Sequence, residues 1–188
     1  MEKAKVYFTD FRTKANGDGL PTKLKKLCKK AGIADLDLDG KFVAIKMHFG
    51  ELGNISYLRP NYARAVVDVV KELGGKPFLT DCNTLYPGSR KNALEHLYCA
   101  WENGFTPLSV GCPILIGDGL KGTDEVEVPV AGGEYGVAVC AAVWAADEEG
   151  AADPAGAGPV PGRKPADNHH TQSHHAPHAA SIFLSHPE

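Results

Sequence analysis

The chain has 188 residues, 43% of them hydrophobic and 23% charged, with a formal net charge of −3. That length suits about one domain with a sizeable core. The near-neutral balance gives no basic footprint for nucleic acid, and no uninterrupted apolar stretch approaches the roughly 20 residues of a membrane helix. The opening M-E-K-A-K-V-Y-F-T-D lacks the long apolar core of a secretory signal, so the cytoplasm is the expected compartment. Cys28, Cys82, Cys99, Cys112 and Cys140 are widely spaced and none belongs to a C-x-x-C. Such a set reads as reduced thiols. It argues against an iron–sulfur cluster held by this chain alone, because cluster thiolates come in close runs.

Residues 5–11, K-V-Y-F-T-D-F, read as a first strand. Leu20, Leu24, Leu27 and Cys28 recur at helical spacing over residues 20–31, with lysines between them and Gly32 as a stop. Residues 42–49 form a second strand, apolar enough to be buried on both faces. Pro60 suits the first turn of a helix with the stripe Tyr62, Ala65, Val66, Val69, Val70 and Leu73, ending at Gly74-Gly75. Residues 77–80 form a third strand ending at Asp81. Residues 92–103 predict a helix with Leu94, Leu97, Tyr98 and Trp101 inward, and residues 108–116 a fourth buried strand. Residues 126–130 and 135–143, separated by A-G-G-E, predict a hairpin.

Alternating β and α with near-continuous apolar strands predicts an α/β fold: a mostly parallel sheet flanked by helices, with a C-terminal β-hairpin. Residues 1–147 form that domain. Beyond them the composition shifts to Ala, Pro, Gly and His, and between Trp144 and Ile182 the only large aliphatic or aromatic side chain is Val160. Such a segment buries too little apolar surface to offset its ordering entropy, so residues 148–188 are expected to be a disordered tail. Six of the eight histidines lie there. Clustered imidazoles on a disordered tract bind zinc, nickel or copper adventitiously, without the outer shell that fixes a catalytic metal.

Open parallel sheets bind ligands beyond the carboxyl ends of their strands. Here the second strand ends in M-H-F-G-E-L-G-N, bringing His48, Glu51 and Asn54. The third ends in T-D-C-N-T-L-Y-P-G-S-R, bringing Asp81, Asn83, Thr84, Tyr86 and Arg90. The fourth ends in G-D-G-L-K-G, bringing Asp118 and Lys121. His48 is either an acid–base or ligand group or a residue bonded to a neighbouring loop. Asp81 either serves the site or caps its turn. Arg59 and Arg90 either grip an anion bidentately or pair with a carboxylate. Cys82 follows an acid that raises its pKa, which disfavours it as a nucleophile. Neither G-D-G-L-K-G nor G-E-L-G-N has the spacing of a phosphate or dinucleotide loop.

Three stretches, F-V-A-I-K-M-H-F-G-E-L-G-N-I-S-Y-L-R-P, G-G-K-P-F-L-T-D-C-N-T-L-Y-P-G-S-R and P-I-L-I-G-D-G-L-K-G-T-D, resemble a family of uncharacterised prokaryotic iron–sulfur cluster proteins, the domain of unknown function DUF362. The resemblance runs over residues 3–147. Full-length relatives are expected to continue into a ferredoxin-like module carrying two 4Fe–4S clusters, and no such cysteine run is present in this sequence. The tail has the composition of an out-of-frame reading of G+C-rich DNA.

The resemblance together with the strand-end loops implies a substrate-binding domain for an anionic small molecule. It would belong to an iron–sulfur oxidoreductase-like protein, would carry no cofactor itself, and would work with a ferredoxin-like partner. His48, Asp81 and Lys121 are the catalytic candidates, with His48 and Asp81 also the candidate metal ligands. Glu51, Asn54, Arg59, Asn83, Thr84, Tyr86, Arg90 and Asp118 are the candidate ligand-binding residues. Two alternatives stand beside this reading: a non-catalytic metal- or anion-binding or ferredoxin-docking module, and a truncated, non-functional fragment.

Overall fold

In a computed structural model, the chain is described over residues 5–13, 15, 17–129, 137–141 and 180–184. Its first helix, α1 (Leu20–Lys30), has a proline in its first turn and Lys29 and Lys30 in its last, where cations suit the helix dipole. Gly32, at φ 104°, then turns the chain. β1 (Phe42–Met47) is buried on both faces, with Val43, Ala44, Ile45 and Met47 all almost inaccessible.

Pro60 opens α2 (Pro60–Glu72), which buries Ala63, Ala65, Val66, Val67, Val69 and Val70. β2 (Lys76–Asp81) follows after Gly74-Gly75. A Cβ on Gly75 would lie 2.7 Å from Val70 Cγ1 and 3.1 Å from Val43 Cγ2, so glycine lets this turn close between helix and strand. α3 (Ala93–Glu102) starts at Asn92, whose side chain accepts the Glu95 N–H. A short α4 (Pro107–Val110) leads to β3 (Ile114–Ile116). β4 (Glu125–Pro129) and β5 (Val137–Ala141) pair antiparallel as the expected hairpin, whose turn lies outside the described residues.

β1 and β2 run parallel, with Phe42 opposite Lys76 and Lys46 opposite Thr80, and β3 pairs parallel with β2. With β6 (Ala180–Leu184) beside β1, the strand order is β3-β2-β1-β6. The core joins Val43, Ile45, Met47 and Phe49 of the β1 segment to α2, Leu79, Ala100, Phe105 and Val110. α1 lies over α2, with Leu24 and Cys28 touching this core. Ion pairs Lys25–Asp68 (2.8 Å) and Lys29–Glu72 (2.7 Å) run between the two helices. Pairs that remain open to solvent, as Lys29–Glu72 does, contribute little.

Four expectations are corrected. Residues 5–11 are not a strand: Val6, Phe8 and Phe11 are exposed, and the segment is held instead by Lys23, which donates to the carbonyls of Asp10 (2.7 Å) and Arg12 (2.9 Å). Residues 108–116 are not one strand either. Thr106 and Ser109 form a capping box, Pro107 sits in the first turn, and Gly111 at φ 77° ends a short helix before β3 begins. α3 presents a shifted face: of the expected stripe Leu97 packs against the core, Leu94, Tyr98 and Trp101 are exposed, and His96, Cys99 and Ala100 are buried. That face meets the loop after β1, where Phe49 packs edge-on to His96 with ring centroids 5.9 Å apart. Apolarity alone selected the wrong stripe, because the loop it meets offers polar as well as apolar partners.

The fourth correction concerns the tail. Its Ala180–Leu184 is a strand, β6, parallel to β1 from Val43↔Ala180 to Met47↔Leu184. S-I-F-L is the tail's one run of large apolar residues, and the open edge of a strand offers unpaired amides and carbonyls to such a run. The remainder of the tail lies outside the described residues.

The burial pattern ranks two substitutions. Leu79→Ala, at a fully buried site in β2, should lower stability in urea unfolding by about 3 kcal/mol. Leu94→Gln, on the exposed face of α3, should stay within about 0.5 kcal/mol. The opposite ranking would mean that α3 packs through its leucine–tyrosine face.

Candidate functional site

The loop after β1 is fixed at both ends. Phe49 is fully buried, its carbonyl accepts Asn103 Nδ2 at 3.0 Å, and Cys99 Sγ donates to Gly50 O at 3.5 Å. Gly50 lies at φ 86°, and a Cβ there would come within 2.7 Å of Asn103 Nδ2 and 2.8 Å of Tyr57 Cδ1. Only glycine meets both demands. The Gly50 N–H donates to His48 Nδ1 at 2.9 Å. Nδ1 is therefore an acceptor, and the proton of the neutral imidazole resides on Nε2. His48 is exposed at the edge of the site. Partial desolvation, and then the Arg90 guanidinium, hold its pKa below the ordinary histidine value, against opposing pulls from Asp81 and Glu51.

Beside it, one carboxylate oxygen gathers several donors. Glu51 Oε1 accepts Arg90 Nε at 2.8 Å, Arg90 Nη2, and Tyr86 OH at 3.0 Å. Tyr86 OH in turn accepts from Arg90 Nη2. Desolvation pushes the Glu51 carboxyl up, but the bonds from Arg90 and Tyr86 outweigh it and leave its pKa lowered. The Arg90 side chain is only 4% exposed, against 32% for Glu51. Burial works against the Arg90 cation, yet Glu51 above all raises its pKa.

Behind this pair, Asp81 ends β2 with its side chain 7% exposed. Its Oδ1 accepts Lys46 Nζ at 3.0 Å and the Cys82 N–H at 3.0 Å. Its Oδ2 faces Arg90 Nη1 at 3.4 Å and His96 Nε2 at 3.5 Å. Burial raises the Asp81 carboxyl; the contact with His96 and the charge of Lys46 more than reverse that, so its pKa is lowered. His96 is fully buried, and neither ring nitrogen has a well-formed hydrogen bond among the described residues. A separation of 3.5 Å is the outer limit for such a bond.

The structure thus brings His48, Glu51, Asp81, Tyr86 and Arg90 together at the ends of β1 and β2. Thr84 closes the same loop, its N–H donating to Arg90 O at 2.9 Å and its hydroxyl to Tyr86 O at 3.2 Å. Asn83 and Asp118 form a separate strap between the β2 and β3 turns. The Asn83 N–H reaches both Asp118 oxygens at 3.0 Å, and Asn83 Nδ2 donates to Asp118 Oδ1 at 3.0 Å and Gly119 O at 2.9 Å. Three residues turn elsewhere. Asn54 Oδ1 accepts the Ser56 N–H, Arg59 donates to Ile55 O and lies over the Tyr57 ring, and Lys121 is exposed on the β3 turn.

Two members of the cluster escaped the sequence reading. Lys46 carried a signal, being the one charge in the otherwise apolar F-V-A-I-K-M. His96 carried none, since a histidine inside a helix with apolar neighbours looks like surface or core equally.

Among the described residues, no three His, Cys, Asp or Glu side chains come together so as to hold a metal ion. The described thiols do not fit an iron–sulfur cluster either. Cys28 lies on α1, Cys82 beyond β2, Cys99 on α3 and Cys112 before β3, on four separate segments where cluster thiolates come in close runs, and burial raises the pKa of all four. Burial, then Asp118 and Asp81, pushes Cys82 up to about 12, and burial takes Cys112 to about 11.

The profile of a family described as Domain of unknown function (DUF362) matches residues 43–148. No curated protein and no solved structure matches the chain.

Removing the Asp81 charge tests the cluster. Asp81→Asn leaves Arg90 and Lys46 without their shared carboxylate and should destabilise the protein by about 3 kcal/mol at pH 7. The Asp81 pKa is depressed in the fold, so its contribution is complete above the unfolded value near 4 and is lost as pH falls through the lower folded value. The variant's stability should therefore fall less steeply than wild type as pH drops below about 4 in acid-dependent urea unfolding.

Proposed function

This chain belongs to the DUF362 family, a domain of unknown function, and we propose that it is the ligand-binding domain of an oxidoreductase-like protein. It takes an anionic small molecule at the carboxyl ends of β1 and β2. One observation supports the reading above others: Arg90 and Tyr86 already direct their donors onto a single carboxylate oxygen, that of Glu51. Charge-assisted, forked donation of this kind is how proteins recognise carboxylate and phosphate groups.

In this reading Arg90 and Tyr86 bind the anion, and Asp81 positions Arg90 and Lys46. His48, neutral near pH 7 with its proton on Nε2, offers a hydrogen-bond donor to a second ligand oxygen or moves a proton there. Electron transfer falls to 4Fe–4S clusters on a ferredoxin-like partner.

Ligand binding to the folded state raises stability by RT ln(1 + [L]/Kd), about 2.7 kcal/mol at a hundred-fold excess over Kd. Thermal unfolding in phosphate, malonate or citrate, with chloride at matched ionic strength as reference, should therefore show a raised Tm for at least one anion. Tyr86→Phe, at a half-exposed ring, should reduce that rise without unfolding the protein. Equal Tm values in all four salts would contradict an anion site.

A further inference from the structure

The anion-binding reading leaves one difficulty. Arg90 is nearly inaccessible, and its guanidinium is already engaged by Glu51, Asp81 and Tyr86. A ligand needs a way in. Resting on that reading, we infer that the Glu51 carboxylate is an internal occupant of the site. A ligand carboxylate or phosphate binds by taking its place against Arg90 and Tyr86.

The two sides of the contact differ in how firmly they are held. Arg90 is buried, and so is its second carboxylate partner, Asp81, which is tied to Lys46 and to the Cys82 N–H. Glu51 is the more exposed partner, at 32% against 4% for Arg90. It opens the stretch 51–56, in which residues 52–56 are all exposed. That stretch starts from Gly50 at φ 86° and contains Gly53 at φ 82°, around whose Cβ direction there is open space. Both ends are anchored: by the buried Phe49 before it, and after it by Tyr57, whose hydroxyl donates to Asn103 O at 3.1 Å. A segment with few buried contacts between fixed ends opens at low cost. Glu51 is thus the partner free to leave, and Arg90 the one that stays.

Charge selects what replaces it. Lys46 and Arg90 are balanced by Glu51 and Asp81, with His48 neutral near pH 7. When Glu51 swings away, a single positive charge is left over, centred on the Arg90 guanidinium, whose side chain is 4% exposed with Glu51 in place. Leaving a buried charge unpaired is strongly unfavourable, so Glu51 departs only as another anion arrives. The incoming group presents oxygen to Arg90 Nε, Arg90 Nη2 and Tyr86 OH, as Glu51 Oε1 does. Carboxylate and phosphate share that chemistry.

The test is isothermal titration of the full chain and of Glu51→Gln with inorganic phosphate and, separately, malonate, at constant ionic strength. Glu51→Gln removes the competing charge while keeping the side chain's shape. It should bind at least one of the two anions about ten-fold more tightly than wild type (about 1.4 kcal/mol), and which anion gains more identifies the ligand group. Equal or weaker binding by Glu51→Gln, with wild type still binding, overturns the exchange and leaves the anion site standing. No binding by either protein overturns both. Wild type gives a second readout that needs no variant. Saturating anion should speed hydrogen exchange across residues 51–56 and leave β2 unchanged, whereas unchanged exchange in the loop of an anion-bound protein contradicts the displacement.

Discussion

Asp81 is the point where the fold and the candidate site become one structure. It is the last residue of β2, and its two oxygens meet Lys46 from β1, Arg90 from the loop that follows, His96 from α3 and the first amide of its own turn. A buried carboxylate is costly unless it is paired and hydrogen-bonded. Here the hydrogen-bonded partners come from β1 and the 82–92 loop, so the cost is offset only when both are in place, with His96 of α3 lying against the second oxygen. The same constraint determines the site. Arg90 can point its remaining donors at Glu51 because Asp81 holds one edge of the guanidinium, and Lys46 is kept at the strand end rather than extended into solvent.

The parallel sheet supplies the platform. β1, β2 and β3 run side by side, so their carboxyl ends open on one edge, and the polar residues that interrupt the apolar strands collect there. The loop after β1 is locked by buried Phe49 and by Asn103 from the end of α3. The β2 and β3 turns are strapped by Asn83 and Asp118. Around a rigid frame, the exposed stretch carrying Glu51 is the part with least to hold it.

Much of this was legible in the residues themselves. The alternation of apolar strands with amphipathic helices gave β1, α1, α2 and β2 close to their observed limits, because each carries its own start and stop signal, such as Pro60, Gly32 and Gly74-Gly75. The strand-end rule selected Glu51, Asp81, Tyr86 and Arg90 for the same cluster, although only the structure shows that Arg90 is already bonded to Glu51. Other features depend on contacts distant in sequence. Nothing local shows that α3 would bury His96 rather than Leu94, since that choice is set by Phe49 and Asp81, more than ten residues earlier. Nor does K-V-Y-F-T-D-F reveal that its strand pattern goes unused while S-I-F-L from the other end of the chain lies beside β1. The short helix at Pro107 was readable from Thr106, Pro107, Ser109 and Gly111, and was hidden by the apolar residues that follow it.

The central claim is that Arg90, buried and held by Asp81, receives an anion from outside the chain. The most direct measurement is the Arg90 Nε–H resonance in nitrogen-15 spectra of the wild-type protein during titration with phosphate and with malonate at constant ionic strength. The account predicts a saturable shift of that resonance with at least one of them, as a ligand oxygen replaces Glu51 Oε1 at the donor. A resonance that stays in place through both titrations, in a protein that remains folded, would contradict it.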